Sequence, residues 1–414
     1  MITQAVFLCG GLGERLKPLT NHIPKPMMDV NGKPFLWHLL EQLAEKGIKK
    51  FLLLTGYLGQ SISDYFGTGE KWGWQIDYSP GPVEWDTGRR LWEARSLLED
   101  EFLLAYSDNF VQIRLDLLVE LWEKTKAPIA LHLAPKKGGN IRIGSNGLVE
   151  EYDATRKAPG LAWVEVGYMF ARKEKVLTQL SELEGFPNIS FSKVIHAFAR
   201  QEKLAGIVIH DPYHSIGDIE RLENTRRYLS PKKIILIDRD GTINRKAPRG
   251  EYIGSWEGFE FIPETLEAMK ELAQDGFEFI VITNQAGVAR GMVDSNKLDD
   301  IHKNMIEKFK QEGVTILRTY VCTDHWDTQS FRRKPNPGMF FEAAGDFNLR
   351  LDKTLYVGDD PRDCEAAYKA GTNCVYIGDT FELENLNPIY KPFIQSNKKT
   401  TLAVTIKKML DKKR

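Results

Sequence analysis

The sequence predicts an α/β protein that is built from two successive domains. Its 414 residues exceed a typical domain of about 150 residues. Short β-prone apolar runs alternate with segments of helical periodicity, which is the order that produces largely parallel sheets. This alternation is interrupted at Ser230-Pro231 and then restarts, because proline disfavours helix at the residue before it. We therefore predict domains at residues 1–230 and 231–414.

The first domain begins with a strand at Ala5–Cys9 and a helix from Pro34 to Lys46. Leucines at positions 36, 39, 40 and 43 form the apolar stripe of that helix, and Gly47 suits its C-terminus. Further strands are predicted at Phe51–Thr55, Phe102–Tyr106, Ile129–Leu133 and Val164–Phe170, and a helix is predicted at Ile219–Leu229.

The second domain repeats the alternation of strands and helices. Strands are predicted at Ile234–Ile237, Phe277–Ile282, Ile316–Val321 and Thr354–Val357, and helices at Pro263–Asp275 and Asn296–Glu312. The Lys-rich end, residues 407–414, is interpreted as a solvated helix end whose charge suits the helix dipole.

Composition excludes several classes of protein. Lys and Arg total 56 against 57 for Asp and Glu, so we expect no bulk attraction to nucleic acid or to an anionic membrane. The first ten residues lack the basic start of a signal peptide, and no run approaches about 18 apolar residues, which predicts a cytoplasmic protein without membrane insertion. The four cysteines show no disulfide or metal-ligand spacing, as is usual in a reducing compartment.

A glycine-rich turn follows the first predicted strand. Gly10, Gly11 and Gly13 allow backbone N–H groups to approach phosphate oxygens closely. Arg15 and Lys25 add the fixed positive charge that a triphosphate requires. The turn has neither the Gly-Lys-Ser/Thr of a P-loop nor the third glycine of a dinucleotide-binding fingerprint.

The segment from Gly10 to Met27 resembles the signature of the sugar-1-phosphate nucleotidyltransferases, GGxGxRLxPLTxxxPKPM, at every fixed position. The resemblance covers roughly residues 1–230 and implies a Rossmann-like domain with a GT-A-like mixed sheet. In this family a sugar 1-phosphate attacks the α-phosphate of a nucleoside triphosphate, and pyrophosphate leaves. The resemblance implies catalytic roles for Arg15 and Lys25, and Mg²⁺ bound by Asp108.

Two stretches that bear on specificity depart from the family pattern. The loop beside the base appears as Asp-Thr-Gly-Arg-Arg at positions 86–90, in which Thr87 and Gly88 carry over and both arginines are new. Glu165, before Gly167, stands in place of the sugar-contacting asparagine and is able to accept hydrogen bonds from hydroxyl groups. The identities of the nucleotide and of the sugar that the domain uses therefore stay open.

The metal site of the first domain departs from the family pattern as well. Ser215 aligns with the second metal-binding aspartate, and a neutral hydroxyl is a weaker ligand for a hard cation. Asp218 lies three residues further on. A catalytically silent domain that binds sugar nucleotides and regulates its neighbour is therefore a second hypothesis.

Two carboxylates follow the first strand of the second domain, in Asp238-Arg239-Asp240-Gly241-Thr242. A carboxylate at a strand end is a nucleophile toward phosphorus once a cation neutralises the phosphate, and a second carboxylate serves as acid and base. Three further polar motifs follow along the chain: Thr283-Asn284-Gln285, Arg333-Lys334 and Gly358-Asp359-Asp360.

Together these four motifs resemble the haloacid dehalogenase-like phosphatases over roughly residues 232–380. The resemblance implies a capless Rossmann-like domain, an aspartyl-phosphate on Asp238, and proton transfer by Asp240. Thr283 and Lys334 would hold the phosphoryl oxygens. The implied Mg²⁺ ligands are Asp238, Asp240 through its carbonyl, Asp359 and, in support, Asp360.

Within that superfamily, residues 258–262, 283–291 and 333–335 resemble the heptose 1,7-bisphosphate and histidinol-phosphate phosphatases. Asn284 and Arg333 are the expected substrate contacts, because a guanidinium group suits a second phosphate. Such relatives carry a zinc-binding loop. Of its ligands, only Cys322 is present at a matching position in this sequence. We therefore expect no zinc.

The two resemblances fit one another chemically. A bisphosphatase that removes the 7-phosphate leaves heptose 1-phosphate, which a transferase of the first type consumes. The implied partners are a nucleoside triphosphate and sugar phosphates, with Mg²⁺ in both domains, and homo-oligomerisation stays open. Family analogy favours GTP and the α-anomer. The alternative is a cytidylyl- or other nucleotidyltransferase with a phosphatase that acts on a different phosphorylated precursor of a surface polysaccharide.

Overall fold

The computed structural model describes residues 2–248, 250–390, 394–395 and 402–411. The chain divides into two compact units, Met1–Ser230 and Pro231–Arg414. None of the helices in these described ranges is long and apolar enough to cross a bilayer.

The first unit contains a nine-stranded mixed sheet and two separate two-stranded ladders. Its strands are β1 (Gln4–Cys9), β2 (Asp29–Val30), β3 (Lys33–Pro34), β4 (Lys50–Thr55), β5 (Gln75–Tyr78), β6 (Glu101–Tyr106), β7 (Asn109–Phe110), β8 (Ile129–Pro135), β9 (Ile141–Ile143), β10 (Val149–Tyr152), β11 (Trp163–Arg172), β12 (Leu204–Val208) and β13 (His214–Ser215). Its helices are α1 (Phe35–Glu45), α2 (Gly59–Phe66), α3 (Thr87–Glu93), α4 (Leu115–Thr125), α5 (Lys173–Glu182), α6 (Ser192–Arg200) and α7 (Ile219–Leu229).

The main sheet of the first unit runs β10-β9-β11-β6-β1-β4-β5, and β8 joins β11 to β12. The two separate ladders pair β2 with β3 and β7 with β13. β1 pairs in parallel with β4 and β6, whereas β11 pairs antiparallel with β6 and β8. All six residues of β1 are buried because apolar side chains cover both faces of the sheet: Phe7 packs in one cluster and Val6 in the other. The parallel strands end at the edge where β1 leads into the glycine-rich turn.

His132 is fully buried on β8, and burial lowers its pKa from 6.5 to about 4. The unfolded chain therefore binds more protons than the folded chain between these pH values, so stability falls as the pH falls from about 6.5 to about 4. We expect His132→Leu to remove about 3 kcal/mol of this loss. Denaturant unfolding of both proteins at pH 7 and pH 4.5 measures the difference; equal pH slopes would contradict the assignment.

The second unit is built on a parallel sheet. Its strands are β14 (Ile234–Ile237), β15 (Glu278–Asn284), β16 (Ile316–Cys322), β17 (Leu355–Gly358), β18 (Asn373–Tyr376) and β19 (Ile394–Gln395). Its helices are α8 (Pro263–Gln274), α9 (Ser295–Gln311), α10 (Gly338–Phe347), α11 (Pro361–Ala370) and α12 (Leu402–Asp411).

The strand order of the second unit is β16-β15-β14-β17-β18-β19, and every one of these pairings is parallel. β14 lies between β15 and β17, so the carboxyl ends of all three meet at one edge. Residues 285–294 connect β15 to α9 without an inserted cap domain. The mixed sheet of the first unit and the parallel sheet of the second confirm the predicted α/β class.

The Lys-rich end is more than a solvated helix terminus. Lys407 on α12 lies 2.7 Å from carboxylate oxygens of both Glu271 and Asp275, at the end of α8. These two ion pairs attach α12 to α8. Residues 412–414, which belong to the same predicted segment, lie outside the described residues.

Candidate active sites of the two domains

A cavity of about 540 Å³ lies at the carboxyl end of β1. Its lining includes every residue predicted from the glycine-rich turn: Gly10, Gly11, Gly13, Arg15 and Lys25. Gly13 has a φ of 65°, which strains other side chains. The hydroxyl group of Thr20 donates to the Gly13 carbonyl at 3.0 Å. A glycine conformation and a local hydrogen bond therefore shape this turn.

Asp108, between β6 and β7, lines the same cavity and pairs with Lys25. The Lys25 Nζ lies 2.6 Å from Asp108 Oδ2. The Asp108 carbonyl accepts the Ile216 N–H at 3.0 Å, and the Tyr168 hydroxyl group donates to the Asn109 carbonyl at 2.8 Å. These bonds hold the turn that carries the predicted metal-binding carboxylate, and a carboxylate is a suitable ligand for Mg²⁺.

Thr87 and Gly88 begin α3 but differ in their surroundings. Thr87 lines the cavity, and its hydroxyl oxygen accepts the Phe191 N–H at 2.8 Å. A Cβ on Gly88 would lie 2.6 Å from the Ile189 carbonyl oxygen, so this glycine permits close backbone packing. Of this predicted pair, the mapped lining of the cavity includes Thr87 alone.

Arg90 is buried and donates to main-chain carbonyl groups. Its guanidinium group lies 2.7 Å from the carbonyl oxygen of Thr55 and 2.6 Å from that of Pro82. Longer contacts of 3.5 Å reach the carbonyl oxygens of Gly10 and Gly81. Arg90 thus links the glycine-rich turn, through Gly10, to the segments at Thr55 and at Gly81–Pro82. Its donors are already engaged by main-chain carbonyl groups.

We expect Arg90→Met to destabilise the first unit by about 2–4 kcal/mol, because buried carbonyl groups lose their donor. Thermal unfolding measures the effect. Arg89→Met is the matched control, since Arg89 stacks on Trp85 at 4.7 Å from the ring centre and lies 3.7 Å from Glu93. Equal destabilisation by Arg90→Met and Arg89→Met would contradict the proposed structural role of the Arg90 hydrogen bonds.

Glu165 and Gly167 lie on β11, outside the mapped lining of the cavity. The Glu165 Oε2 atom is buried and has no hydrogen-bond partner in the described structure. Burial, and then the charge of Asp108, raise the Glu165 pKa to about 7. A Cβ on Gly167 would lie 2.8 Å from the Tyr106 ring. Glu165 is therefore electrostatically linked to Asp108, and Gly167 serves close packing.

Ser215 and Asp218 lie near the Asp108 turn. Ser215 pairs with Asn109 across the ladder of β7 and β13. The Asp218 carboxylate caps α7 by accepting the Arg221 N–H at 2.9 Å, and it also pairs with the Arg221 side chain at 3.2 Å. Because capping engages this carboxylate, Asp218 is a poor replacement for the family's second metal ligand.

A larger cavity, of about 900 Å³, lies at the carboxyl ends of β14 and β15. Its lining includes most of the site residues predicted in the second domain: Asp238, Asp240, Thr283, Asn284, Arg333, Lys334 and Asp360. Asp359, which follows β17, is 8% exposed. The sheet therefore brings the four separate motifs to one place.

Lys334 is the centre of this arrangement. Its Nζ lies 2.7 Å from each of three oxygens, Asp238 Oδ1, Asp363 Oδ1 and the Tyr356 hydroxyl oxygen. Burial is the main cause that raises the Asp238 pKa, to about 8, because removal from water disfavours the carboxylate. An ionised Asp238 at neutral pH therefore needs further positive charge nearby.

Three buried carboxylates could share a metal ion. Ligand atoms of Asp238, Asp359 and Asp363 lie within 4.8 Å of one another, and no other such group occurs among the described residues. This aspartate cluster contains Asp363 and not the predicted Asp360. The Asp360 carboxylate caps α11 and lies 2.7 Å from the Arg362 guanidinium group. The donor set fits Mg²⁺, a hard cation that prefers carboxylate oxygens.

Asp363 and Lys246 are site residues that no recognised motif marks. Asp363 accepts the backbone N–H groups of Asp359 and Asp360, each at 3.1 Å. An Asp-x-x-Asp capping pattern at the start of a helix was the available signal for Asp363. The Lys246 Nζ lies 2.7 Å from Asp359 Oδ2. For Lys246 the sequence shows only a positive charge, because its contact with Asp359 depends on how the loop after β14 folds.

Asp240 is surrounded by hydrogen-bond donors. Its carboxylate accepts from Arg239 at 2.9 Å, from Asn244 at 3.0 Å and from Gln285 at 2.6 Å. Although burial acts in the opposite direction, the Arg239 charge and these bonds lower the Asp240 pKa. Arg239 is itself buried against His302, at 2.9 Å. Asp240 is therefore held ionised in the absence of substrate.

The remaining predicted residues position the lysine or line the cavity. The Asn284 side chain donates to the Lys334 carbonyl at 2.9 Å and accepts the Lys334 N–H at 3.1 Å. Thr283 Oγ1 accepts from the Gln285 amide at 2.8 Å. The Arg333 guanidinium group donates to the Asp324 carbonyl at 3.2 Å. Asn284 thus acts on Lys334 directly, through both of its backbone polar groups.

Two family models match the chain in succession. The nucleotidyl transferase model matches residues 4–184, and the polynucleotide kinase 3 phosphatase model matches residues 233–407. Among solved structures, the D,D-heptose 1,7-bisphosphate phosphatase from B. bronchiseptica, complexed with magnesium and phosphate, is 27% identical. The structural match covers 43% of this chain and 99% of the phosphatase chain, with a TM-score of 0.40.

Curated relatives match each half. The D-glycero-D-manno-heptose-1,7-bisphosphate 7-phosphatase of Chlorobaculum tepidum is 31% identical over an alignment of 166 residues, and the match covers 37% of this chain and 82% of the relative. A probable glucose-1-phosphate cytidylyltransferase of Bacillus subtilis is 35% identical over an alignment of 148 residues, and the match covers 31% of this chain and 58% of that relative. The chain therefore belongs to the heptose-1,7-bisphosphate 7-phosphatase family through its second domain, and its N-terminal domain matches the nucleotidyl transferase model over residues 4–184.

Proposed function

We propose that the chain performs two consecutive steps in the synthesis of a nucleotide-activated heptose. The second domain removes the 7-phosphate of D-glycero-D-manno-heptose 1,7-bisphosphate. The first domain then transfers a nucleotidyl group to the heptose 1-phosphate. The observation that carries the proposal is the buried Lys334, which bridges Asp238 and Asp363 beside a cavity of about 900 Å³, in a chain that also holds a nucleotidyl transferase domain.

In the phosphatase reaction, a carboxylate oxygen of Asp238 attacks phosphorus and the bond from phosphorus to the O7 oxygen breaks. Lys334 and Thr283 hold phosphoryl oxygens, and the product on the protein is an aspartyl-phosphate. Asp238 and Asp359 are the residues that would hold Mg²⁺, with Asp363 behind them. The cation supplies the charge neutralisation that a buried carboxylate and a phosphate require.

Asp240 is proposed to handle the protons of both half-reactions. Arg239 holds Asp240 ionised in the absence of substrate. Asp240 takes up the proton of the monoanionic phosphate ester when the ester binds, and it then passes that proton to the leaving alkoxide. In the second half-reaction the carboxylate of Asp240 takes a proton from water, which attacks the aspartyl-phosphate. Free phosphate leaves and Asp238 is regenerated.

In the transfer reaction, a phosphate oxygen of the heptose 1-phosphate attacks the α-phosphorus of the nucleoside triphosphate, and pyrophosphate leaves. Arg15 and Lys25, which line the cavity of the first domain, stabilise the charge on the phosphates. Asp108 would hold Mg²⁺, which neutralises the triphosphate. This chemistry belongs in the cytoplasm, where nucleoside triphosphates are available.

GTP and the α-anomer remain the leading choice. The cytidylyl alternative has one specific support, the 35% identity over 148 residues with a probable glucose-1-phosphate cytidylyltransferase. Arg90 lines the cavity of the first domain, but its donors are engaged by main-chain carbonyl groups, which weakens one reason to expect an altered nucleotide site. The silent-domain alternative depends on Ser215, and the lysine–aspartate pair beside it argues for retained catalysis.

Phosphorus NMR tests the proposal directly. The protein is incubated with Mg²⁺, each anomer of D-glycero-D-manno-heptose 1,7-bisphosphate, and each of the four ribonucleoside triphosphates in turn. We expect loss of the 7-phosphate, followed by a nucleotide–heptose diphosphate with GTP and the α-anomer. A product with CTP selects the alternative nucleotide. Phosphate release without any diphosphate supports the silent-domain hypothesis, and absence of phosphate release excludes heptose bisphosphate as the substrate.

A further inference from the structure

Three loops of the second domain meet at an aromatic wall, which consists of Tyr252, Arg290 and Trp326. Tyr252 lies between β14 and α8, Arg290 between β15 and α9, and Trp326 after β16. The Arg290 guanidinium carbon is 5.7 Å from the centre of the Tyr252 ring and 5.1 Å from that of Trp326. A cation in this position attracts both rings. Arg290 thus joins the loops that carry the two aromatic residues.

Both aromatic residues of this wall face the phosphatase cavity, and Tyr252 and Trp326 are part of its lining. Trp326 is 53% exposed, which is unusual for a residue with so much apolar surface. Its position is nevertheless defined, because the His325 ring lies 3.8 Å from it, between ring centres, and Arg290 lies over it. A fixed indole that stays open to a cavity is a ready surface for a ligand ring.

The same cavity holds a cation that the reaction centre does not use. Arg333 lines it and forms no ion pair with any residue that the structure describes. Lys246 and Arg362 also line the cavity, but both are paired with carboxylates, Asp359 and Asp360 respectively. The cavity therefore offers a reaction centre at Asp238, a separate cation at Arg333 and an aromatic face.

We propose that Trp326 is a specificity-determining residue, which stacks on the C–H face of a cyclic sugar phosphate whose second phosphate meets Arg333, the phosphate contact already expected from the sequence. This inference rests on the proposed phosphatase function and specifies how its substrate is recognised. Sugar C–H groups carry slight positive charge, which suits the negative face of an indole ring. A nucleoside monophosphate has a ring to stack but leaves Arg333 without a phosphate, so the sugar bisphosphate satisfies more of the site. Arg290 is a positioning residue, since it acts through Trp326 and Tyr252.

Steady-state phosphatase kinetics of Trp326→Ala and Trp326→Phe test the inference. The substrates are D-glycero-D-manno-heptose 1,7-bisphosphate and glycerol 3-phosphate, an acyclic ester without a ring to stack. For the heptose bisphosphate we expect Trp326→Ala to raise KM about tenfold with little change in kcat, and Trp326→Phe to restore most of the affinity. Neither variant should change the kinetics with glycerol 3-phosphate.

Phe331→Ala is the matched control, because Phe331 belongs to the same loop and is 47% exposed but is absent from the mapped cavity lining. It should leave both substrates unaffected. Equal losses on both substrates in Trp326→Ala would show a purely structural role and overturn the inference. An unchanged KM for the heptose bisphosphate in Trp326→Ala would overturn it as well.

The outcome is separable from that of the proposed function. If the unaltered protein hydrolyses glycerol 3-phosphate but not the heptose bisphosphate, the proposed substrate is wrong. The comparison is then made with glucose 1,6-bisphosphate, another cyclic sugar bisphosphate, and the same selective rise in KM is expected. A rise in KM for glucose 1,6-bisphosphate but not for glycerol 3-phosphate supports stacking on Trp326. The absence of this selective rise overturns the inference.

Discussion

Asp238→Asn should reduce phosphate release by on the order of 10⁴-fold while nucleotidyl transfer continues at the rate of the unaltered protein. The amide has nearly the shape of the carboxylate but cannot form an acyl-phosphate, so the covalent step is lost. Folding should be little affected, because burial already disfavours the charge of Asp238 and Asp363 still pairs with Lys334 at 2.7 Å.

Both activities are measured on one preparation, with a sugar 1-phosphate supplied directly so that transfer does not depend on the first step. Asp360→Asn is the comparison variant, since Asp360 lines the cavity but caps α11 instead of joining the aspartate cluster. Asparagine is also a good N-cap residue, so this variant should keep most of its phosphatase activity. Equal loss of both activities in Asp238→Asn would contradict two separate sites.

The second large effect is expected for Arg15→Ala, which should lower pyrophosphate release by about 10²–10³-fold and leave phosphate release intact. Arg15 is exposed in the glycine-rich turn and lines the cavity. Its guanidinium group lies close to Gly217, where an added Cβ would be 3.4 Å from Nη2. Among the described residues it has no ion-pair partner, in contrast to Lys25, which is paired with Asp108. Its charge is therefore available to the triphosphate.

Pyrophosphate release is followed with each nucleoside triphosphate and a sugar 1-phosphate. Lys17→Ala is the matched control, because Lys17 is a neighbouring exposed cation that lies 3.7 Å from Glu14 and is not in the mapped cavity lining. It should behave as the unaltered protein does. Robust pyrophosphate release from Arg15→Ala would remove Arg15 from the reaction.

The local features of both sites could be predicted from the sequence because they depend on residues that are close together in the chain. The glycine-rich turn is shaped by Gly13 and by a bond from Thr20, seven residues away. Asp238 and Asp240 follow directly from the end of β14. Apolar runs that alternate with helical patterns also determine an α/β architecture, since each strand must be covered on both faces.

The site features that sequence reasoning missed depend on contacts between distant segments. Asp363 replaces Asp360 in the aspartate cluster because α11 directs one carboxylate toward Lys334 and uses the other as a cap. Arg90 departs from the family pattern, and only the fold shows that its donors are engaged by carbonyl groups from separate segments. No periodicity or motif encodes such contacts.

The sequence by itself therefore determined the two α/β domains, the glycine-rich turn and the order of the phosphatase motifs, because these follow from local conformation and from strand ends that meet at one edge of a parallel sheet. Only the tertiary structure decided which side chains from distant segments lie in contact. Lys334 meets Asp363 at 2.7 Å, and Trp326 meets Arg290 at 5.1 Å, through loops whose paths depend on packing of the whole domain.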